Sequence, residues 1–184
     1  FFATSNSSYP LTPNSTENFE VNGKIVEIPK AKIEFKAWNG KTLENTFGGK
    51  PLVNFNGNPM FAELAIMNIF RENGWSSRWV ETYGKPRLNP IHLTEWIDEP
   101  YINQKHNPID NKIIQFLLNA IAKNNENNFG GCWDVVAWKN GDIVFAESKR
   151  SKKDHIKTTQ NKWLNSAFEV GLTKENFLLV EWKI

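Results

Sequence analysis

The chain has 184 residues, which is enough for one domain that buries its own hydrophobic core. Its formal net charge of +2 is compatible with nucleic-acid binding but is too small to predict it. The single cysteine, Cys132, excludes an internal disulfide framework and a cysteine-rich zinc site. There is no signal-peptide pattern and no apolar run of roughly 18 residues, so we expect a cytoplasmic protein that does not enter a membrane.

The amino-terminal part of the chain carries strand and turn signals. Residues 1–18 are rich in Ser, Thr, Asn and Pro, which predicts a flexible or surface-bound tail. The pattern of residues 19–57 is that of β-strands, with a hairpin signal at Asn22-Gly23. Because this stretch is too short to bury its own core, we predict a small β extension at 19–57 and a main domain at 58–184.

The first helix is predicted to begin at Asn58-Pro59, because Asn is a favoured N-cap and Pro is favoured at the first helical position. At about 100° per residue, Glu63 falls in the apolar sector of this helix. A buried carboxylate needs a partner or a metal ion. Glu63 is therefore either a site residue or an ordinary surface glutamate beside a wide apolar face.

Residues 75–107 combine several aromatic side chains with prolines, and they predict an insertion that shapes a substrate groove. Rings interleaved with Arg78, Lys85 and Arg87 could stack nucleobases, although packing inside the protein is the more frequent role. A second helix is predicted to begin at Asn107-Pro108, and its apolar residues on most sides indicate a central position.

The stretch from Asp134 to Lys149 predicts a β-hairpin, because Asn140-Gly141 is the pair most favoured in a two-residue type I′ turn. Pairing outward from the turn places Asp134 opposite Glu147, and alternation places Lys149 on the face that carries Glu147. Two adjacent carboxylates repel each other, but they suit a divalent metal ion and an attacking water. The alternative is a solvated edge pair that Lys149 bridges.

Asp134, followed thirteen residues later by Glu147-Ser148-Lys149, resembles the motif of the PD-(D/E)XK nuclease superfamily. Downstream, Thr158-Thr159-Gln160 opens a predicted helix, and the apolar run from Phe177 to Trp182 follows it. This order is similar to that of the virus-type replication–repair nuclease (VRR-NUC) branch, in which a glutamine opens the helix after the E-x-K strand. Trp133 stands where the superfamily has the proline of its name.

The likeness covers residues 130–182 well and the part from residue 58 more loosely. It implies a restriction-endonuclease-like α/β fold, a mixed sheet flanked by helices. In addition, a helix at 160–170 that crosses to a strand at 177–182 favours a parallel pairing of that strand with the hairpin.

The resemblance implies a metal-dependent nuclease with Mg²⁺ or Mn²⁺ as cofactor and nucleic acid as partner. DNA is the expected substrate, including branched or flapped DNA of replication, repair or mobile elements. The predicted metal ligands are Asp134, Glu147 and the backbone carbonyl of Ser148, since hard cations take carboxylate and carbonyl oxygens. Glu63 matches the position at which the helix before the catalytic sheet often donates a further glutamate.

Lys149 is predicted to orient or deprotonate the attacking water, or to neutralise charge on the scissile phosphate. Gln160 is predicted to direct its amide at the site while Trp163 and Leu164 anchor its helix in the core. A pair of Cys132 with a histidine is a weaker catalytic candidate, since a cysteine that opens a buried strand is usually packed.

A basic cluster follows the predicted site directly. It is predicted to contact the phosphate backbone, whereas the alternative is a solvated loop. Its members are Arg150, Lys152, Lys153 and Lys157. A second function class also stays open, namely a non-cleaving module that uses a nuclease scaffold to bind nucleic acid or a partner protein.

Overall fold

A mixed β-sheet is the centre of the computed structural model, which describes residues 9–84 and 88–184. The described strands and helices are, in chain order, β1 (Ser15–Val21), β2 (Lys24–Glu34), β3 (Lys36–Ala37), β4 (Val53–Phe55), β5 (Asn58–Met60), α1 (Ala62–Glu72), β6 (Ser76–Glu81), β7 (Ile91–Leu93), α2 (Lys112–Asn124), β8 (Val135–Lys139), β9 (Asp142–Arg150), α3 (Thr158–Glu169) and β10 (Phe177–Lys183).

Among the described residues, seven strands form the main sheet in the order β1-β2-β10-β9-β8-β6-β7, and β3, β4 and β5 form a separate small sheet. Strand β10 runs parallel to both β2 and β9, whereas the other neighbours in the main sheet are antiparallel. Helices α2 and α3 pack on one face of the main sheet and α1 packs on the other. The expected mixed α/β sheet flanked by helices is therefore present.

The predicted hairpin is confirmed. Asn140 and Gly141 have φ values of 50° and 85°, as a type I′ turn requires. Lys139 pairs with Asp142, and the ladder continues outward to the pair of Val135 with Ala146. The predicted parallel strand is confirmed as well, because β10 pairs with β9 in parallel.

The predicted start of the first helix is wrong. Asn58 and Pro59 lie in β5, and α1 begins at Ala62 after an N-cap, Phe61, that makes no side-chain capping bond. The turn at Asn56-Gly57, with φ values of 52° and 86°, pairs β4 with β5 and so overrides the Asn-Pro helix signal. Pro59 is tolerated because β5 is an edge strand.

The second helix also starts later than predicted and is not central. Asn111, rather than Asn107, caps it by accepting bonds from the backbone N–H groups of Ile113 and Ile114. The Arg78 guanidinium holds the earlier segment by donating to the carbonyl of Asn107. Ile113 and Phe116 are 63% and 72% exposed, so α2 buries one face only.

The amino-terminal strands are part of the main sheet. Strand β1 begins at Ser15, so the predicted tail boundary at residue 18 falls inside a strand; residues 1–8 of that tail lie outside the described residues. Alternation explains the strand, since Phe19 and Val21 are buried while their neighbours are exposed. The predicted extension is thus joined to the main domain through the pairing of β2 with β10.

The region at 75–107 supplies β6 and β7 to the main sheet. Trp75 and Trp79 are buried in the core, which agrees with a packing role, whereas Tyr83 is exposed. Lys85 and Arg87 lie outside the described residues. Within the described parts of the chain, no helix is long and apolar enough to cross a membrane.

Candidate functional site

Asp134 and Glu147 meet at the end of the β8–β9 ladder, where backbone pairing stops. The backbone N–H of Asp134 donates to Oε2 of Glu147 at 3.0 Å. In return, the backbone N–H of Ser148 donates to Oδ2 of Asp134 at 3.0 Å. The two carboxylates therefore close the opening of the hairpin, and the predicted cross-strand neighbourhood of Asp134 and Glu147 is confirmed.

Gln160 reaches Glu147 from the first turn of α3. Its Nε2 donates to Oε1 of Glu147, while its Oε1 accepts from the backbone N–H of Lys157 at 2.8 Å and so caps the helix. Trp163 and Leu164, one turn further on, are fully buried. The amide of Gln160 thus points at the acid pair as predicted, while the helix is anchored in the core.

The acid pair is electrostatically unbalanced. Burial, and after it the charge of Glu63, raises the pKa of Asp134 to about 8. Burial, and after it the charge of Asp134, raises the pKa of Glu147 well above its ordinary range. Glu147 is only 4% exposed, so the pair is not the solvated edge pair of the alternative interpretation. The charge of Glu63 disfavours a charged Asp134, and the charge of Asp134 disfavours a charged Glu147, which makes the site receptive to a cation.

Glu63 lies on α1 and is buried, so it is not an ordinary surface glutamate. Its carboxylate binds the ammonium group of Lys50, a residue from the loop before β4. Lys50 also acts on Asp134, because its charge lowers the pKa of that carboxyl. Lys50 is therefore a lysine that faces the acids, and no periodicity or motif in the sequence indicated it.

Lys149 lies two residues after Glu147 on β9, but its ammonium group binds elsewhere. It contacts the two carboxylate oxygens of Glu17 on β1 at 3.0 and 3.4 Å. Lys30 also approaches Glu17, at 3.7 Å. Lys149 therefore does not bridge Asp134 and Glu147 in this conformation, and Glu17, which was predicted to lie in a tail, is its partner.

The basic cluster is located on the loop between β9 and α3. Lys152, Lys153 and Lys157 are exposed, while the Arg150 guanidinium lies 5.5 Å from the ring centre of Trp182. A cleft of about 250 Å³ opens beside this loop. It is lined by Lys50, Glu63, Ser148, Arg150, Lys153 and Trp182, among others. Cationic side chains and a site carboxylate thus share one cleft.

The donor types of the site fit Mg²⁺ or Mn²⁺, although a full ligand set is not assembled. Within residues 9–84 and 88–184, no group of three or more His, Cys, Asp or Glu side chains is placed to hold a metal ion. Asp134 and Glu147 supply two carboxylates, and Ser148 lies against them through its backbone. The third acid, Glu63, is occupied by Lys50.

Cys132 does not qualify as a nucleophile. It is buried, and burial together with the charges of Glu147 and Asp134 raises the pKa of its thiol well above the usual value. The thiolate, which is the reactive form, is therefore disfavoured. The thiol instead donates a hydrogen bond to the carbonyl of Trp133.

The stability of the metal-free protein should fall as the pH rises from about 4 to about 8. An unfolded aspartate has a pKa of about 3.9, so over this window the folded state retains the proton of Asp134 while the unfolded state has lost it. One such group contributes about 1.4 kcal/mol per pH unit. Asp134→Asn should flatten the decline, as measured by melting curves in EDTA.

The exposed Asp110→Asn variant is the control for this experiment, because it makes the same chemical change away from the acid pair. It should follow the wild-type pH dependence. Parallel curves for wild type and Asp134→Asn would contradict the raised pKa of Asp134.

Comparisons with known proteins give no relative from which a function could be transferred. No protein-family model matches the chain, no curated protein is significantly similar in sequence, and no solved structure is a significant match. The geometry of Asp134, Glu147 and their neighbours is therefore the basis for assigning a function.

Proposed function

We propose that the protein is a divalent-metal-dependent nuclease that hydrolyses phosphodiester bonds, with DNA as the expected substrate. The observation that carries the proposal is the pair of Asp134 and Glu147 at the open end of the hairpin, with both pKa values raised. Two acids that repel each other in a buried position destabilise a fold. A cation bound between the two carboxylates would offset their charges and so explain why the pair is present.

The fold and the order of the site residues support a restriction-endonuclease-like scaffold of the VRR-NUC type. The acidic hairpin β8–β9 is followed by α3, whose Gln160 contacts Glu147, and then by the parallel strand β10. Helices cover both faces of the mixed sheet. This succession agrees with the pattern that the E-x-K motif and the downstream glutamine predict.

Each side chain has a definable task in this reaction. Asp134, Glu147 and the carbonyl of Ser148 would hold Mg²⁺ or Mn²⁺, which when bound activates water and offsets charge on the phosphate. Gln160 keeps Glu147 in one orientation through its amide hydrogen bond. Lys149 would turn from Glu17 to the scissile phosphate or to the attacking water.

The cleft beside the acids supplies the contacts to the rest of the substrate. Arg150 and Lys153 line it, and Lys152 and Lys157 extend the positive surface along the same loop. Cationic side chains of this kind bind phosphates without reading the sequence of bases. They would position the strand so that a phosphate reaches Asp134 and Glu147.

A non-cleaving binding module is the second candidate, and one observation favours it. The ammonium group of Lys149 is paired with Glu17 and does not contact the acids. A protein that only binds nucleic acid would use the exposed basic loop and would have no task for Lys149 at the acid pair.

Lys149→Ala should abolish hydrolysis while retaining much of the nucleic-acid affinity, because this lysine is only one of several cations that can bind phosphate. Replacement of Arg150, Lys152, Lys153 and Lys157 together should weaken binding broadly. It should also reduce the salt dependence, by about one unit of slope for each phosphate that is no longer neutralised. The assay is Mg²⁺- or Mn²⁺-dependent cutting of single-stranded, duplex, flapped and four-way DNA, with binding measured at two salt concentrations.

A matched control removes four positive charges from exposed positions on other elements. Its members are Lys24, Lys36, Lys123 and Lys174, each changed to Ala. Binding by this variant should stay much closer to that of wild type. If the wild-type protein binds several DNA forms yet cuts none, the binding module is correct. If it neither binds nor cuts, both candidates fail and the basic loop is only a solvated loop.

A further inference from the structure

Lys50 is held in place by an unusual loop. Phe47 has a φ of 50°, which is rare for a bulky residue, and its ring packs against Trp79, Trp96 and Tyr101. This packing anchors the segment that leads to Lys50. The loop therefore delivers the lysine to a defined position.

The ammonium group of Lys50 is placed between aromatic rings and a carboxylate. It lies 6.0 Å from the ring centre of Phe47 and 5.9 Å from that of Trp79, within cation–π distance. Its direct partner is Oε1 of Glu63, and the side chains of both residues are largely buried. Removing one partner of such an ion pair strongly destabilises the protein, because the other charge is left buried without compensation.

The charge of Lys50 also reaches beyond Glu63. Burial lowers the pKa of Lys50. The negative charges of Glu63, Asp134 and Glu81 together raise this pKa by more than burial lowers it, so the ammonium group stays charged. In turn, Lys50 lowers the pKa values of Asp134 and Glu81. Lys50 thus acts as a positive charge on Glu63, Asp134 and Glu81.

We propose that Lys50 is an internal counter-cation of the site, which withholds Glu63 from a divalent metal ion and competes with that ion for the acids. The inference rests on the proposed nuclease function. It explains why Asp134 and Glu147 stand without a third carboxylate ligand among the described residues: Glu63 is nearby, but its oxygen is engaged by Lys50. When a divalent ion binds, Lys50 has to leave Glu63, and it then becomes available to a phosphate in the cleft that it lines.

Lys50→Met tests the competition directly, because methionine keeps much of the side-chain volume but carries no charge. The affinity for Mn²⁺, measured by calorimetry, should increase roughly tenfold or more, since a positive charge beside the incoming cation is removed. The double variant with Glu63→Gln should lose the part of this gain that the freed Glu63 carboxylate supplies, because that ligand is then absent.

Lys30→Met is the matched control. Lys30 is also a mostly buried lysine paired with a glutamate, but its partner is Glu17 rather than Glu63. The Mn²⁺ affinity of this variant should stay within about twofold of wild type, because the ammonium group of Lys30 lies beside Glu17 and not beside Glu63.

The melting temperature supplies a second readout that does not depend on cleavage. Without metal, Lys50→Met should be less stable than wild type, because Glu63 is left buried and unpaired. Mn²⁺ should raise its melting temperature more than that of wild type. If the variant is unfolded without metal, Mn²⁺ should restore its circular dichroism spectrum, and no recovery would overturn the inference.

The calorimetric outcomes separate this inference from the proposed function. If wild type binds Mn²⁺ and Lys50→Met binds it equally or more weakly, Lys50 is not a competitor, although the metal site stands. If Lys50→Met binds Mn²⁺ and wild type does not, the competition by Lys50 is supported in its strongest form. If neither binds, both the competition and the metal-dependent reaction are rejected.

Discussion

Glu147→Gln is expected to weaken Mn²⁺ binding severely and to reduce cleavage by roughly a thousandfold or more, because a metal ion contributes several kcal/mol and each 1.4 kcal/mol is tenfold. Glu147 is one of the two carboxylates that close the open end of the hairpin. A neutral amide is a much weaker ligand for a hard cation than a carboxylate. The change therefore removes the feature on which the proposed function depends.

The same substitution should leave the fold intact. It loses one accepted hydrogen bond, from Asp134 or from Gln160, which costs about 1 kcal/mol. It also removes the repulsion between Glu147 and Asp134, which is the largest charge effect on the pKa of Glu147. Because these effects oppose each other, the melting temperature should stay close to that of wild type or increase.

Calorimetry with Mn²⁺, a metal-free melting curve and a cleavage assay decide this prediction. Glu27→Gln is the control, because Glu27 is an exposed glutamate of β2 whose loss changes the net charge identically. It should behave as wild type in all three measurements. Unchanged Mn²⁺ affinity in Glu147→Gln would reject Glu147 as a ligand, and a large loss of stability would assign it a structural role.

Gly131→Ala should be strongly destabilising, with a loss of roughly 3 kcal/mol and a fall in melting temperature of about 10 °C. Gly131 has a φ of 80°, and an added Cβ would lie 1.9 Å from the carbonyl oxygen of Thr159 and 2.9 Å from the nitrogen of Gln160. Both contacts are to backbone, so no side-chain rotation relieves them. The start of α3 has to move, which also displaces Gln160 from Glu147.

Gly23→Ala isolates the effect of the left-handed backbone. Gly23 has a φ of 78°, but its added Cβ would meet no atom within 4 Å. The cost should therefore be about 1 kcal/mol, which corresponds to a few degrees of melting temperature. Thermal unfolding of both variants checks the pair. If Gly131→Ala and Gly23→Ala lost equal amounts of stability, the start of α3 would have moved at little cost in free energy. That result would contradict the effect expected from the close approach at Thr159.

The hairpin and the acid pair were predictable because they depend on short-range rules. Asn140-Gly141 favours the left-handed conformation of a two-residue turn, and that turn sets the register of both strands. Once the register is set, counting residue pairs outward from the turn places Asp134 opposite Glu147. The parallel strand β10 followed from the length of the connection through α3.

The helix starts were less predictable, because two local signals competed. Asn58-Pro59 is a favourable helix start, yet Asn56-Gly57 immediately before it is a favourable hairpin turn. The turn forms because β4 and β5 pair with each other in the small sheet, and because the buried apolar face of α1 begins at Ala62. Propensity alone does not rank such alternatives, since tertiary packing decides between them.

Sequence alone thus determined the β8–β9 hairpin, its register and the meeting of Asp134 with Glu147, since each depends on residues close together in the chain. Only the tertiary structure decided which cations face which acids. Lys149 pairs with Glu17, whereas Lys50 pairs with Glu63. A buried charge is compensated by whichever opposite charge the packed elements bring near it, and that neighbour is set by the arrangement of β1, α1 and the loops rather than by spacing along the chain.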